Sequence, residues 1–432
     1  MKKLLIIFGF TIILQTNCFA VTLSEALMAA YTNNAELNAE RENISVSKEN
    51  LNISRSEFLP SVTFEGSKSS EDTSKLTNQD GSNATITNIS PETRSVKIEQ
   101  KIFQGFGGIA DYKKSQIGLV LADAKLLQVE QKTLLKTVEA FSGLIFANEK
   151  FSINERNVNL SERQVETDRI RLDRGQVSVA DLAQSESSLA EAQAKFIQAK
   201  NDVITAKLNY KNVIGPIQES FYLNKDINLN LKIPLTLENA IQLSKINNPD
   251  LIIAKLEYEL SERDVQIAQS DLAPSATLSF ESKKTDDLSS TYDQQDKETV
   301  EATIKWPLFS GGKNYAGLNK SKNLRNRKKL LLDNAFKVND TNVASAWSNM
   351  KSTASMLESV KLQVKAAEIA NEGITAEYES GKGRSTLDVI QSNSILLNSQ
   401  VSLANSERNY LLSQFKLLES VGLLTTKHLQ IN

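Results

Sequence analysis

An enzyme needs a nucleophile, a base and a group to orient them, and this chain offers few candidates. It has one histidine, His428, close to the C-terminus, and one cysteine, Cys18, close to the N-terminus. No His/Cys/carboxylate set with metal-ligand spacing and no nucleophile–base pair can be assembled around them, so no metal, no cofactor and no enzymatic reaction is expected. Gln104-Gly105-Phe106-Gly107-Gly108 resembles a phosphate-cradling loop, but it lacks the Gly-Lys-Ser/Thr ending. It is mirrored by Ser310-Gly311-Gly312-Lys313, which points to glycines that let the chain change direction. Two acids, Asp181 after Gly175 and Asp388 after Gly381, sit where long helices should begin. There a carboxylate caps the helix or complements its dipole. The run Lys320 to Lys329, with Arg325 and Arg327, is the strongest basic cluster. It has no interleaved aromatics, and it reads first as a solvated helix face and second as a contact for inner-leaflet phosphates. Trp306, beside Pro307, closes an alternating segment; its indole suits a membrane interface, with core packing as the alternative.

These residues are carried by one unit written twice. Thr22-Leu23-x-x-Ala26 returns as Thr236-Leu237-x-x-Ala240. At the same offset of 214 positions, Asn33-Asn34 matches Asn247-Asn248, and Pro60-Ser61-x-Thr63 matches Pro274-Ser275-x-Thr277. The unit is too long for a solenoid repeat. Each half predicts a short helix pair, two strands and two very long helices. The first repeat spans 21–215 with strands about 60–104, and the second spans 235–422 with strands about 274–309. A linker, 216–234, lies between them, and a tail, 423–432, is expected to fray.

Residues 1–20 read as a secretory leader: Lys2-Lys3, an apolar stretch from Leu4 to Leu14, and Cys18-Phe19-Ala20 before a cut at Val21. Gln15-Thr16-Asn17 lacks the pattern expected before a lipidated cysteine, which disfavours a lipoprotein. Without Lys2 and Lys3 the chain has 48 basic against 52 acidic residues, which gives no electrostatic reason to expect nucleic acid. No run of 18 apolar residues is available for a transmembrane helix.

The strands alternate. Val96, Ile98 and Ile102 interleave with Lys97, Glu99 and Lys101. Ala276, Leu278 and Phe280 interleave with Thr277, Ser279 and Glu281; Val300, Ala302, Ile304 and Trp306 with Glu301, Thr303 and Lys305. This suits a soluble sheet or a lipid-facing barrel equally. At about 10–13 residues each, the strands are long enough to cross an outer membrane when tilted. Polar loops, Ser67 to Pro91 and about Asp286 to Asp296, sit at one end of each hairpin. Four strands cannot close a barrel, whose minimum is about eight, and an open edge in lipid costs several kcal/mol per unsatisfied group. If these strands span a membrane, several copies must share the barrel. The long helices are predicted from about Ile109 to Arg174 and Asn314 to Ser380. The return helices carry large–small heptad seams: Val389, Leu396, Leu403, Tyr410 and Leu417 beside Ser392, Ser399, Ser406, Ser413 and Ser420. The first-half seam is Leu182, Leu189, Phe196, Val203 and Tyr210 beside Ser185, Ala192, Ala199, Ala206 and Val213.

Across about residues 21–424 the chain resembles the TolC family of outer-membrane efflux proteins. The resemblance rests on the Thr-Leu-x-x-Ala openings, the Pro-Ser strand starts, and Ile102-Phe103-Gln104-Gly105 against Leu308-Phe309-Ser310-Gly311. It also rests on Gly381 leading into Leu387-Asp388-Val389, and on Arg408-Asn409-Tyr410 followed by Glu419-Ser420-Val421-Gly422. The order and spacing of these motifs is more specific than any one of them.

The resemblance implies a mostly α fold with a membrane β-barrel part. A homotrimer would form a 12-stranded barrel in outer-membrane lipid and a 12-helix tunnel in the periplasm. It would act as a passive exit channel for drugs or a secreted protein, joined to a periplasmic adaptor and an inner-membrane transporter. The rival from another class is a periplasmic coiled-coil structural or adaptor protein without a pore. By position around Gly381, Tyr378 and Arg384 match residues that tie the aperture shut, and Asp388 one that lines its narrowest point. Asp181 is the first-half counterpart, and Gln391 stands where a second acid is expected. Gly381 to Asp388 is one residue longer than the family's usual spacing and than Gly175 to Asp181. Three Asp388 carboxylates would bind cations, select for them and raise one another's pKa; with Gln391 beside them, selectivity should be weaker than in a two-acid ring. Helix capping is the competing role for both acids, and simple solvation is the competing role for Arg384.

Overall fold

A computed structural model describes residues 20–84, 88–216, 222–225, 229, 231–289, 292–381 and 383–431. Nearly all of the expected leader, Cys18 included, lies outside the described residues, as does part of the 216–234 linker. Ala20–Val21 forms a short strand, β1. Then come helices α1 (Leu23–Asn33) and α2 (Ala35–Ser56), strands β2 (Ser61–Lys68) and β3 (Glu92–Gln104), and helices α3 (Gly107–Asp173) and α4 (Val179–Val213). A short strand, β4 (Tyr222–Leu223), pairs in parallel with β1. The second repeat gives α5 (Leu237–Asn247), α6 (Pro249–Ser270), β5 (Ser275–Asp286), β6 (Gln294–Lys305), α7 (Lys313–Glu379) and α8 (Thr386–Val421).

The repeated motif has a local cause. Thr22 and Thr236 are N-caps whose hydroxyls accept from the N–H groups of Glu25 and Asn239. Ala26 and Ala240 are buried. The helix pair expected over Thr22 to Glu57 divides at Asn34, which caps α1 with extended backbone. Asn248 does the same before Pro249, which opens α6 at the one helical position proline favours. None of the seven prolines falls within α3, α4, α7 or α8, and α3 and α7 each run 67 residues, about 100 Å.

The chain forms two compact units, with α3 and α7 passing through both. One comprises Met1–Asn38, Val129–Asn248 and Asn339–Asn432. Its core gathers Leu27, Leu134, Val138, Phe141, Phe415 and Leu418. The tail, expected to fray, is part of this core. Leu424, Leu429 and Ile431 are buried, and Glu130 accepts from both N–H and hydroxyl of Thr426. Along α8 the serine side of the heptad seam is the better buried: Ser392, Ser399, Ser406 and Ser413 are inside, while Leu396 and Leu403 are only half-buried. Small residues there permit the close helix approach that the pattern predicts.

The other unit comprises Ala39–Gln128 and Pro249–Val338. It holds an antiparallel sheet in the order β2-β3-β5-β6, so the two hairpins join through β3 and β5, and β2 and β6 form open edges. Register lines up Val62, Ile98, Phe280 and Val300 across all four strands, and Thr63, Lys97, Glu281 and Thr299 across the opposite face. β2 has 8 residues, fewer than the 10–13 expected. Its ladder ends where Ser69 N–H donates to Pro91 O, because Pro91 has no N–H to return the bond. Among the described residues the hairpin continues through isolated bridges, Glu71 with Ile89 and Thr77 with Asn83.

Candidate functional site

The ends of the two long helix hairpins carry the predicted site. Both turn through left-handed glycines: Gly175 (φ +70°) in the first, Gly381 (φ +73°) and Gly383 (φ +78°) in the second. A serine then starts each return helix with a reciprocal cap. Ser385 N–H and Oγ donate to Asp388 Oδ2, each at 2.9 Å, and Asp388 N–H donates back to Ser385 Oγ at 3.2 Å. Ser178 and Asp181 repeat the arrangement at 2.8, 2.7 and 3.2 Å. Both acids are therefore helix caps within the protomer, and both are half-buried. Hydrogen bonds from Ser385, backbone first, hold the Asp388 carboxyl below the usual aspartate range; Ser178, side chain first, does the same for Asp181. A ring of like charges would shift Asp388 the opposite way.

Arg384 reaches back across its own turn, its Nε 2.6 Å from Glu377 Oε2. It ties the end of α7 to the loop before α8. Tyr378 behaves differently, because it is buried. Its hydroxyl donates to Asp168 Oδ1 at 2.6 Å and lies 3.0 Å from Thr386 Oγ1. The guanidinium of Arg171 stacks 4.1 Å from its ring centre and donates to its carbonyl. Asp168 is fully buried, and Ser185 Oγ and Gln164 Nε2 also donate to it. One carboxylate on α3 thus collects donors from α3, α4 and α7. Burial, and then the bond to Asp168, pushes the Tyr378 hydroxyl pKa upward, so it stays a donor at neutral pH.

Sequence reasoning points to Tyr378, Arg384, Asp388 and Asp181 but not to Asp168, Ser185, Gln164, Arg171 and Thr386, which the structure gathers around Tyr378. Asp168 stands in a run of charges, Glu166 to Arg174, that reads as a solvated face. Only the packing of two hairpins reveals it as buried. Gln391 is exposed on α8, and it lines a polar cavity of about 300 Å³ with Ser161, Gln184, Ser188 and Ser394. It makes no part of the Asp388 cap. Trp306 is exposed rather than packed in a core, and its Nε1 donates to Leu272 O at 3.2 Å. His428 is not in a frayed tail, and no His/Cys/Asp/Glu group able to hold a metal occurs among the described residues.

The sequence pattern of the family described as Outer membrane efflux protein matches residues 26–215 and 240–423, one match per repeat. The chain belongs to this family. Outer membrane efflux protein BepC of Brucella suis is 24% identical, covering 97% of this chain and 89% of that protein. Outer membrane protein TolC of Escherichia coli is 22% identical, over 99% and 88%. Alkaline protease secretion protein AprF of Pseudomonas aeruginosa is 19% identical, over 98% and 89%. Among solved structures, the Campylobacter jejuni CmeC outer membrane channel superposes with a TM-score of 0.81 at 15% identity, covering 93% of this chain and 85% of that one. The Neisseria gonorrhoeae MtrE outer membrane channel, in its open state, gives 0.76 at 15% identity, over 93% and 89%. The fold is TolC-like, mostly helical with four antiparallel strands per chain. This outer membrane efflux protein resides in the outer membrane and extends into the periplasm, which displaces the purely periplasmic alternative.

Proposed function

We propose that three copies of this chain form an exit channel, a passive conduit for small molecules or a secreted protein. An inner-membrane pump supplies the energy, and a periplasmic adaptor joins pump to channel. The observation that carries this reading is the open sheet. It is apolar on one face, and β2 and β6 have no neighbour on their outer sides among the described residues. Unpaired backbone groups in lipid cost several kcal/mol each. Twelve strands from three chains remove both edges and exceed the minimum of about eight. Apolar side chains left exposed on the helices, such as Ile197, Ile204 and Leu208 on α4 and Leu362 and Ile369 on α7, support burial against further copies.

At the hairpin ends, Asp388 and Asp181 line the narrowest opening, with Gln391 one turn further along α8. Tyr378 and Arg384 keep it closed. The bond from Tyr378 to Asp168 supports this reading, because it fastens the α7–α8 hairpin to the α3–α4 hairpin. The test is biochemical and electrical. The protein extracted from membranes in mild detergent should run as a heat-dissociable trimer and give small, cation-selective conductance steps in planar bilayers. A soluble monomer after fractionation, or trimers that never conduct, would refute the channel.

A further inference from the structure

The cations of α7 have a neighbour that the channel reading does not use. From Lys313 to Leu332 the helix contains seven basic residues and no acid; the first acid is Asp333. The corresponding start of α3 is mixed, with Asp111 and Asp123 among Lys113, Lys114 and Lys125. Lys114 there is neutralised by Asp264 at 2.8 Å. In α7, Lys328 pairs with Glu257, whereas Lys313, Lys320 and Lys322 meet no carboxylate among the described residues and are exposed.

Directly before them the chain leaves the sheet through a cluster of bare apolar side chains. Trp306 is 61% exposed, Leu308 80%, Phe309 87% and Tyr315 65%. They continue the apolar face of β6, Val300, Ala302 and Ile304, at the end of the sheet from which the helices extend. This is the periplasmic boundary of the membrane, where aromatic residues settle at headgroup depth.

We infer that the β6–α7 junction is a binding site for anionic phospholipid in the periplasmic leaflet. Trp306, Leu308, Phe309 and Tyr315 rest against the acyl–headgroup boundary, and Lys313, Lys320 and Lys322 hold the phosphates. Reach selects these three lysines. The headgroup layer adds roughly 5–8 Å to each side of the hydrocarbon. Lys320 and Lys322 lie about 10 and 14 Å along the helix from Lys313, within range of a long flexible side chain. Arg327 and Lys329, about 21 and 24 Å along, lie beyond it and are not part of the site. The asymmetry between α7 and α3 confines the site to the second repeat, so each chain carries one.

The inference depends on the membrane placement of the sheet and is independent of the aperture. It is tested with the intact protein carrying Trp347→Phe, which leaves Trp306 as the single tryptophan. The protein is reconstituted into vesicles containing either brominated phosphatidylglycerol or brominated phosphatidylcholine at equal mole fraction, and quenching of Trp306 fluorescence is compared. Phosphatidylglycerol should be preferred about fivefold or more at low salt, since each lysine near an anionic surface contributes on that scale. The preference should fall toward unity in 0.5 M salt (about a 4 Å screening length) and in K313Q/K320Q/K322Q. Equal quenching by both lipids would overturn the site while leaving Trp306 in the membrane. No quenching by either would overturn it by showing that protein covers the junction. A preference that survives the triple substitution would overturn the assignment to these lysines.

Discussion

The cap that Asp388 forms and the ring proposed for it have opposite electrostatic signatures. Its cap bonds to Ser385 hold its pKa below the ordinary aspartate range, whereas a ring of three carboxylates would raise it. Exposed charges across a water-filled opening are screened over about 8 Å at physiological salt, while the Ser385 bonds act at contact, so capping sets the sign. A carboxyl whose folded pKa is depressed keeps its contribution above the unfolded value and loses it as pH falls through the folded one. Cation selectivity that depends on Asp388 should therefore persist through the ordinary aspartate range and fade only beneath it. S385A, which removes the hydroxyl bonds, should move that fade to higher pH. Reversal potentials under a salt gradient check both, and a reversal potential unchanged by D388A would remove Asp388 from the opening. Tyr378 carries a different prediction. Hydrogen bonds to charged groups contribute about 1.5–3 kcal/mol, and Y378F deletes one of the links between hairpins while preserving the ring beside Arg171. Single-channel conductance should rise in Y378F, and a conductance equal to wild type would remove Tyr378 from closure.

The elements were legible where local physics writes them. The 214-residue offset announces both repeats, the stretches Ile109 to Arg174 and Asn314 to Ser380 announce the long helices, and the heptad seams announce the helices that return along them. Contacts between distant elements were not legible. Asp168 and Tyr378 lie 210 positions apart, and nothing near Asp168 distinguishes it from its solvated neighbours. The tail's packing is hidden for a related reason. Leu424, Leu429 and Ile431 follow no helical or strand period, so only their burial shows that they close the core over Phe415 and Leu418. Gly422 turns the chain into this tail at φ +83°, and a Cβ there would lie 2.3 Å from the backbone of Asn247. Burial of each leucine or isoleucine contributes roughly 1.5–3 kcal/mol. Deleting residues 423–432 should therefore lower the thermal midpoint of the assembled protein by several degrees or prevent its assembly. Circular dichroism melts and trimer yield measure this, and a truncated protein with wild-type midpoint and yield would show that the tail is dispensable.

For the whole molecule, the decisive question is what covers the two faces of the sheet. In a single chain Val300, Ala302 and Ile304 on one face of β6 are exposed, and so are Glu301 and Thr303 on the other. An isolated protomer would thus present every position to water alike. Closure with further copies in lipid makes the faces unequal, because alternate residues must then meet hydrocarbon and a polar interior. β6 is the informative strand, since it is an edge here and becomes internal only through a neighbouring chain. Single cysteines introduced at 300 to 304 in a Cys18→Ser background leave no competing thiol, as Cys18 is the only native one. In native membranes a charged, water-soluble maleimide should label E301C and T303C and spare V300C, A302C and I304C. Detergent-denatured protein should lose the alternation and label at all five. Uniform labelling in membranes would mean that the sheet stands in water. Uniform protection would mean that protein, not lipid, covers its apolar face, and the barrel would have to be abandoned.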